Sequence, residues 1–361
     1  MILRGFFLLP VICLCGCVRG SAADEASLQP IRATAAVADD ADDPAVWVNS
    51  ADPSRSLILG TNKVAAPGGG LYVFALDGSV KQVVAPLDRP NNVDVEYGFQ
   101  SRSGPIDIAV VTERFQHRLR VFRVTESGVV PLDEGRGIAV MEGEKGEARM
   151  PMGVALYKRP RDGTIFAIVA PKTGPTTDYL WQYRLDVDPV FDADVVRGTF
   201  VRRFGHFSGT GEIEAVAVDD PLGYVYYADE EYAVHKWHAD PAHPDAAREL
   251  AAFARDRFKG QREGIGIFTR SDGSGYIVTS DQIEGASELH IYPRDGQPGR
   301  PHEHDPPIAV LTTPADSTDG VDIEPKGLSG DFGKGLLVMM NSRDRNFQLY
   351  RWEDVASRMT R

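Results

Sequence analysis

The stretch EIEAVAVDDPLGYVYYADEEYAVHKWHA, residues 212–239, contains three short segments in a characteristic order. The first has an acidic start followed by alternating apolar residues, and the second is a buried-looking apolar run that ends in Asp229 and Glu230. The third alternates around Trp237. Alternation over so few residues is typical of β-strands, so the stretch predicts three antiparallel strands.

The same three segments recur six times along the chain. The third segment of each copy contains an aromatic residue, and these residues are Phe74, Phe122, Tyr183, Trp237, Tyr292 and Tyr350. Successive aromatic residues are 48, 61, 54, 55 and 58 positions apart. Six strand trios, most of them followed by a fourth strand, predict an all-β fold, a six-bladed β-propeller of four-stranded antiparallel blades.

The last copy has no strand after it, whereas the segment 28–37 (LQPIRATAAV) precedes the first copy without a partner. We expect this N-terminal strand to complete the last blade and close the ring, which would remove an exposed sheet edge. No linker divides the chain, so residues 28–361 are predicted to form a single propeller domain. Trp181, Trp237 and Trp352 are expected to lie in strands and pack between the blades.

The N-terminus has the pattern of an export signal. A basic start is followed by the apolar run GFFLLPVICLCG at 5–16, which is too short for a permanent membrane span. LCGC at 14–17 resembles the lipobox of bacterial lipoproteins, so we predict a signal peptide over 1–16, a lipid-anchored Cys17 and a flexible tether over 17–27. This places the protein in a bacterial cell envelope, at the periplasm or outer membrane. The alternative is cleavage near Ala22, giving a secreted soluble form.

The charge of the chain excludes some partners. The 361 residues include 52 Asp and Glu against 39 Lys and Arg, a net charge of −13, and loss of residues 1–16 with their one Arg leaves −14. Such an acidic protein is a poor ligand for nucleic acid. It can bind an anionic substrate only where metal ions or a local basic patch reverse the field.

Polar residues collect on one predicted face of the ring. The first and second strands of a blade are antiparallel, so the start of the first and the end of the second lie on the same face. First-strand starts contribute Asp42, Asp43, Asn91, Asn92, Asp94, Glu212, Glu214, Glu263, Asp319 and Asp322. Second-strand ends contribute Lys63, Glu113, Arg114, Lys172, Asp229, Glu230, Glu231, Asp281 and Gln282.

This face combines many carboxylates with three cations. Carboxylates that share one mouth repel each other, and oxygen donors without His or Cys select calcium, so several calcium ions are the expected counter-charge. Lys63, Arg114 and Lys172 all come from the first three blades and are suited to bind phosphate groups. The simpler alternative is a set of solvated strand ends. The segment HEHD at 302–305 is expected to be a solvated loop on the opposite face.

Several motifs together resemble the β-propeller phytases. They include ADDPAVWVN (41–49), RPNNVDVEYGF (89–99), GEIEAVAVDDPLGYVYYADEE (211–231), REGIGIF (262–268) and STDGVDI (317–323). The matches occur in order over nearly the whole chain. The resemblance implies calcium-dependent hydrolysis of the phosphomonoesters of myo-inositol hexakisphosphate (phytate) by a metal-activated water, with activity of the 3-phytase type.

The resemblance also implies roles for individual residues. Lys63, Arg114, Glu214, Glu230 and Glu263 match catalytic residues, and Lys63, Arg114, Lys172 and Asp319 match the substrate-binding set. Glu214, Glu230, Glu263, Gln282 and Asp319 match calcium ligands at the cleavage site. Asp42, Asp43, Pro44 and Val93 match further metal ligands, and Asp43, Pro44 and Val93 among them match a structural calcium site.

Four positions depart from the family pattern, namely Met152, Thr173, Ala215 and Gln261, and some of these changes remove calcium ligands. Two alternatives therefore stay open: a propeller lipoprotein that binds a ligand or partner without catalysis, and a calcium-dependent lactonase or arylesterase. Members of the latter class typically have His residues at the mouth, which the first-strand starts lack. We expect a monomer that binds calcium-complexed phytate and contacts a membrane only through Cys17.

Overall fold

The computed structural model describes residues 27–191 and 193–359. The predicted signal peptide, Cys17 and nearly all of the predicted tether lie outside the described residues, as do Asp192 and positions 360 and 361. No helix within the described ranges is long and apolar enough to cross a membrane.

Six antiparallel sheets are found in the described part of the chain, and each sheet is one blade. After β1 (Arg32–Ala33), blade 1 contains β2 (Ala41–Trp47), β3 (Leu57–Asn62), β4 (Gly70–Ala75) and β5 (Val80–Val84). Blade 2 contains β6 (Pro90–Ser101), β7 (Gly104–Glu113), β8 (Arg118–Thr125), β9 (Gly128–Pro131) and β10 (Ile138–Ala139). Blade 3 contains β11 (Pro151–Lys158), β12 (Ile165–Pro171), β13 (Thr177–Val187) and β14 (Val196–His206).

The remaining blades follow the same order. Blade 4 contains β15 (Val216–Asp219), β16 (Tyr224–Asp229), β17 (Ala233–His238) and β18 (Ala251–Phe253). Blade 5 contains β19 (Gln261–Thr269), β20 (Gly275–Gln282), β21 (Glu288–Pro293) and β22 (Ala309–Thr312). Blade 6 contains β23 (Val321–Glu324), β24 (Leu336–Asn341) and β25 (Asn346–Arg351). The predicted six-bladed propeller is confirmed; four blades have four strands from one continuous stretch, and blade 2 has a fifth because both β9 and β10 pair with β8.

The outer edge of blade 6 carries β1, which pairs antiparallel with β25 through Arg32 opposite Leu349 and Ala33 opposite Gln348. Main-chain amides of Ile31 and Thr34 donate to the carbonyls of Leu349 and Phe347. That this strand is what holds the ring closed stays a prediction.

Apolar packing between blades explains the continuous hydrophobic runs. Within the described residues there are six clusters of buried apolar side chains, each formed by two neighbouring blades. All six residues of β3 and all six of β24 are buried, because each of these strands is covered on both faces. A strand covered on both faces reads as an unbroken apolar run instead of an alternating one.

Four of the six innermost strands carry a register irregularity close to their first residues. It lies between Ala41 and Pro44 in β2, Pro90 and Val93 in β6, Pro151 and Val154 in β11, and Arg262 and Ile265 in β19. Such a bulge bends the strand and changes the direction of its side chains. The residues inside these bulges include Asp42, Asp43, Asn91, Asn92 and Glu263, all of which were predicted on the functional face.

The chain leaves blade 6 in a short helix, α1 (Trp352–Met359), the single α-helix of the described residues. The predicted strand position of Trp352 is therefore wrong. Its predicted packing role is right, because the indole ring stacks on Phe268 of β19 with ring centroids 3.9 Å apart. The predicted solvated loop at 302–305 is also wrong in part: His304 is buried, and its Nε2 lies 3.2 Å from Lys236 Nζ.

Candidate functional site

A cavity of about 360 Å³ opens on the face where the innermost strands begin. We call it the acidic cavity, and it is lined by Lys63, Gly211, Glu212, Glu214, Glu230, Gln261, Glu263, Gln282 and Asp319. It collects residues from blades 1, 4, 5 and 6, which lie far apart in sequence. Six of the predicted site residues line it together: Lys63, Glu214, Glu230, Glu263, Gln282 and Asp319.

Lys63 is the cation nearest to several of these carboxylates. Its Nζ lies 2.5 Å from Asp42 Oδ1, 3.1 Å from Asp319 Oδ2 and 3.9 Å from Glu214 Oε2. The Lys63 side chain is only 13% exposed. Burial lowers the pKa of a lysine, but the carboxylates of Asp42, Glu214 and Asp319 outweigh it and raise the pKa of Lys63 well above its ordinary value. Lys63 is therefore a charged group in the lining of the cavity.

Arg114 approaches the other oxygen of Glu214. Its Nη2 lies 3.4 Å from Glu214 Oε1, and the amide of Asn91 donates to the same oxygen and to Asp42 Oδ2. Arg114 is 5% exposed and its Nε has no hydrogen-bond partner within the described residues. Glu214 thus lies between two cations from different blades.

Glu230 and Gln261 also line the acidic cavity. The main-chain amide of Glu212 donates to Glu230 Oε2 at 2.8 Å, and the Gln261 side chain donates to Glu231 Oε1 at 2.9 Å. Lys172 does not line the cavity itself but is paired with Glu212, which does. Lys172, the third predicted cation, therefore lies at the rim of the cavity that Lys63 lines.

Four carboxyl groups at the acidic cavity or beside it have pKa values above the ordinary range. Burial, with repulsion from Glu214 and Glu212, raises the pKa of Glu230 to about 8. Burial, with repulsion from Glu230 and Glu214, raises the pKa of Glu263 well above its ordinary value. Burial also raises the pKa of Asp42 and of Asp319. One lysine and one arginine do not neutralise this group, so it favours a further cation.

The central channel of the propeller forms a second cavity, of about 230 Å³, whose lining residues Ala215 and Gly264 directly follow Glu214 and Glu263 of the acidic cavity. The predicted metal ligands Asp43, Pro44 and Val93 line it together. Asp43 Oδ2 accepts from the Val93 amide at 3.0 Å, which links blade 1 to blade 2. Asn92 also lines this channel, and its buried Oδ1 has no hydrogen-bond partner in the described chain.

Asp94 and Asp322 lie in this channel and not among the lining residues of the acidic cavity, which corrects their predicted position. Each accepts a main-chain hydrogen bond from the next blade, Asp94 from Leu156 at 2.6 Å and Asp322 from Val46 at 2.7 Å. They therefore connect innermost strands to one another. Asp94 follows the bulge of β6 and Asp322 is the second residue of β23, so both lie farther along their strands than the first-strand residues that line the acidic cavity.

Three further carboxylates predicted on the face have a different role. Glu113, Asp229 and Asp281 end the second strands of blades 2, 4 and 5, and each accepts main-chain amide hydrogen bonds from the loop that enters its blade. Asn62 and Asn341 do the same in blades 1 and 6. These side chains hold loops and do not line the acidic cavity.

The donors of the acidic cavity fit calcium. Among its lining residues in the described chain none is His or Cys, and the side chains that converge carry carboxylate or amide oxygens. Calcium prefers six to eight such oxygens, and its charge would offset the repulsion that raises the pKa values of Glu230 and Glu263. In the channel, the unpartnered Asn92 Oδ1 beside Asp43 is a donor of the same kind.

The four departures from the family pattern have clear locations. Met152 is fully buried and Thr173 is exposed, so neither offers an oxygen ligand to the cavity through its side chain. Gln261 lines the cavity and donates its amide to Glu231, where an aspartate would add negative charge. Ala215 lines the central channel.

We expect the metal-free protein to lose stability as the pH rises from about 5 to about 8. The pKa of Glu230 is about 8 in the fold against an ordinary 4.5, so the folded chain binds this proton more tightly than the unfolded chain. The resulting stabilisation is complete below the unfolded pKa and is lost as the pH passes the folded pKa. Urea unfolding in metal-depleted buffers across this interval checks the sign. A free energy of unfolding that increases with pH would contradict the account.

Comparison with known proteins gives a consistent result. The chain matches the phytase family over residues 5–360. It is 27% identical over 335 residues to a 3-phytase of Bacillus subtilis, a match that covers 89% of this chain and 81% of that protein. Among solved structures, a calcium-binding protein, regucalcin from Agrobacterium tumefaciens, superimposes with a TM-score of 0.53 at 11% identity. That match covers 90% of this chain and 96% of regucalcin and shows the fold alone.

Proposed function

Because the chain belongs to the phytase family, we propose that it hydrolyses phytate with calcium bound in the acidic cavity. Membership of this family makes the protein a phosphatase-type hydrolase that binds a small-molecule substrate. One observation carries the proposal: Lys63, which lines the acidic cavity, and Arg114, which does not line it, approach the two oxygens of the same buried carboxylate, Glu214. Such an arrangement supports the binding of phosphate between cations of the protein and metal ions.

The residues divide into two groups in this proposal. Glu214, Glu230, Glu263, Gln282 and Asp319 would hold calcium at the cavity, and Asp42 would contribute through its position beside Lys63. Asp43, Pro44 and Val93 would hold calcium in the channel, where the Val93 amide already donates to Asp43 across the junction of blades 1 and 2. When bound, calcium supplies charge neutralisation and activation of the attacking water.

The cations of the chain orient the phosphate. Hydrolysis of a phosphomonoester requires mainly positioning and stabilisation of oxygen charge. In this proposal the buried Arg114 guanidinium would donate more than one N–H group to phosphate oxygens, and Lys63 would provide a point charge. Lys172, at the rim beside Glu212, is placed to bind a neighbouring phosphate of the same inositol ring. Substrate that arrives as a calcium complex avoids the repulsion of a −14 protein.

The substrate class distinguishes this proposal from the two alternatives. We expect calcium-loaded protein to release phosphate from phytate and to leave lactones and aryl acetates intact. Chromatography of the first inositol pentakisphosphate tests the finer proposal, supported by the Bacillus relative, that the phosphate at position 3 is removed first. Hydrolysis of lactone without phosphate release would support the esterase alternative, and no turnover of either substrate would support the binding alternative.

The cellular location is proposed from the sequence alone. We propose that the chain is exported, anchored at a lipidated Cys17 in the cell envelope, and acts there as a monomer. Mass spectrometry of the N-terminal peptide would give diacylglycerol-modified Cys17 in this case. An unmodified N-terminus near Ala22 would indicate the secreted form instead.

A further inference from the structure

His290 in β21 is a buried imidazole without hydrogen bonds. Its exposed fraction is 0%, and neither Nδ1 nor Nε2 has a partner within the described residues. The ring stacks on Phe258 with centroids 4.1 Å apart, which fixes the ring plane and leaves the nitrogens at its edge available. Burial also lowers the pKa of His290, which favours the neutral form of the ring. An unpartnered polar group in this setting is costly unless something else binds it.

Two carboxylates face this imidazole. Asp281 of β20 and Glu288 of β21 are directly opposite each other in the strand pairing, and His290 lies on the same face two residues beyond Glu288. His290 Nε2 is 3.9 Å from Asp281 Oδ2 and 3.8 Å from Glu288 Oε2, both too long for hydrogen bonds. The three side chains each offer a ligand atom within 4.8 Å of the other two.

The negative charge of Asp281 and Glu288 is only partly neutralised by the surrounding side chains. Like charges directly opposite on neighbouring strands destabilise a sheet. Lys259 Nζ lies 2.5 Å from Glu288 Oε1, but the Lys259 side chain is 64% exposed and reaches the carboxylate from the solvent side. Asp281 is fully buried and accepts its hydrogen bonds from the main-chain amides of Lys259 and Gly260.

Blade 4 provides an internal comparison. There His235 and Asp229 occupy the equivalent strand positions, with Nε2 3.7 Å from Asp229 Oδ2. Ala233 stands opposite Asp229, so the second carboxylate of blade 5 has no counterpart at that position. His235 Nδ1 instead bonds directly to Glu249 Oε1 at 2.5 Å. The same local fold thus satisfies its imidazole with a hydrogen bond in blade 4 but not in blade 5.

We propose that Asp281, Glu288 and His290 bind a divalent transition-metal ion of the zinc class, at a site separate from the acidic cavity. Imidazole nitrogen and carboxylate oxygen are both zinc ligands, whereas calcium takes oxygen ligands alone. Ligand atoms around a tetrahedral zinc ion with bonds of about 2.0–2.1 Å are roughly 3.4 Å apart, so the observed spacing needs only a small contraction.

The surrounding groups suit such a site. The two main-chain amides that bind Asp281 orient its carboxylate, as the outer hydrogen bonds of metal ligands usually do. Thr279, directly opposite His290, has a buried hydroxyl without a partner in the described chain and can bind a water on the ion. An ion enters from the side of Glu288 when the exposed Lys259 ammonium moves away.

Zinc binding by the full chain tests this site directly. The protein, without a polyhistidine tag and in excess calcium, is titrated with zinc against a chromophoric chelator. We expect one zinc ion per chain, and Glu288→Ala, which copies the blade 4 residue, to weaken binding by at least about 10-fold. Lys259→Gln should tighten binding several-fold, because the ammonium no longer competes for Glu288. A purely structural role of Lys259 would not produce tighter binding.

Two matched variants serve as controls. Glu249→Gln alters the acid that is hydrogen-bonded to His235 in blade 4, and His243→Gln alters the second described group of metal-type ligands, His238, His243 and Asp245. Both should bind zinc as the unaltered protein does. Absence of micromolar zinc binding, or binding that survives Glu288→Ala and is lost in His243→Gln, would overturn the proposal. Should Glu288→Ala fail to fold, Glu288→Gln keeps the side-chain shape and gives the same test.

Discussion

Replacing Glu214 by Gln is expected to lower kcat/KM for phytate by about 10²–10³-fold, the usual cost of removing one transition-state contact in a preorganised site. Glu214 is the carboxylate that both Lys63 and Arg114 contact, and Asn91 donates to it as well. Glutamine retains the size of the side chain but removes the charge that binds calcium. The loss should therefore appear in phosphate release and in calcium affinity together.

The control for this variant is Glu303→Gln, which removes one exposed carboxylate that does not line the acidic cavity. It should leave both phosphate release and calcium binding unchanged. Circular dichroism and thermal unfolding establish that each variant keeps the propeller. If Glu214→Gln released phosphate at the unaltered rate, Glu214 could not have the role proposed for it.

Replacing Lys63 by Met is expected to lower the free energy of unfolding of the metal-free protein by about 3–5 kcal/mol, the cost of leaving a buried charge without its partner. Lys63 Nζ contacts Asp42, Asp319 and Glu214, and the Asp42 carboxylate is 1% exposed. Methionine fills a similar volume, so the change in packing is small. Urea unfolding in metal-depleted buffer measures the effect.

Two further measurements test the role of Lys63: the stability of Lys63→Met with added calcium, and the stability of a variant at a surface lysine. Calcium in excess should recover part of the stability of Lys63→Met, because the ion offsets the same carboxylates. Lys81→Met, at an exposed position of β5, should change stability by no more than about 0.5 kcal/mol. Equal stability of Lys63→Met and the unaltered protein in the absence of metal would show that Lys63 does not balance the cavity.

The fold could be predicted because its signal is repeated. Six copies of a strand trio, with an aromatic residue at a similar place in each, define the blades without reference to any contact between them. Because neighbouring strands are antiparallel, Lys63 after β3 and Glu230 after β16 are predicted to lie on the same face of the ring. Both residues do line the acidic cavity. The same argument could not identify Trp352 as helical, because its local pattern resembles that of the other aromatic positions.

Sequence position alone could not predict which carboxylates line the acidic cavity and which of them hold loops. Asp229 and Glu230 are adjacent in sequence, yet Asp229 binds the amide of Ser208 whereas Glu230 lines the cavity. Alternation of side chains at a strand end separates the two, but the strand end itself cannot be located to one residue from sequence. The positions of Asp43 and Asp94 likewise depend on the bulges of β2 and β6, and these bulges have no clear sequence signature.

The missed pair Glu96 and Asp220 shows the same limit. Both line the central channel, and burial raises the pKa of Glu96 to about 9 and that of Asp220 to about 7. Glu96 follows Asp94 at the spacing of two residues that keeps side chains on one face of a strand. That spacing was visible in the sequence, but the approach of Asp220 from blade 4 depends on the curvature of the ring.

Calcium titration of phosphate release tests the central claim most directly. Protein depleted of metal is supplied with phytate and increasing calcium, and a parallel series receives magnesium, whose strict octahedral geometry is a poor match for a wide set of carboxylates. We predict negligible release without metal, a saturable rise with calcium and little response to magnesium. Full release of phosphate from phytate by metal-depleted protein in the presence of EDTA, or none with saturating calcium, would contradict the account.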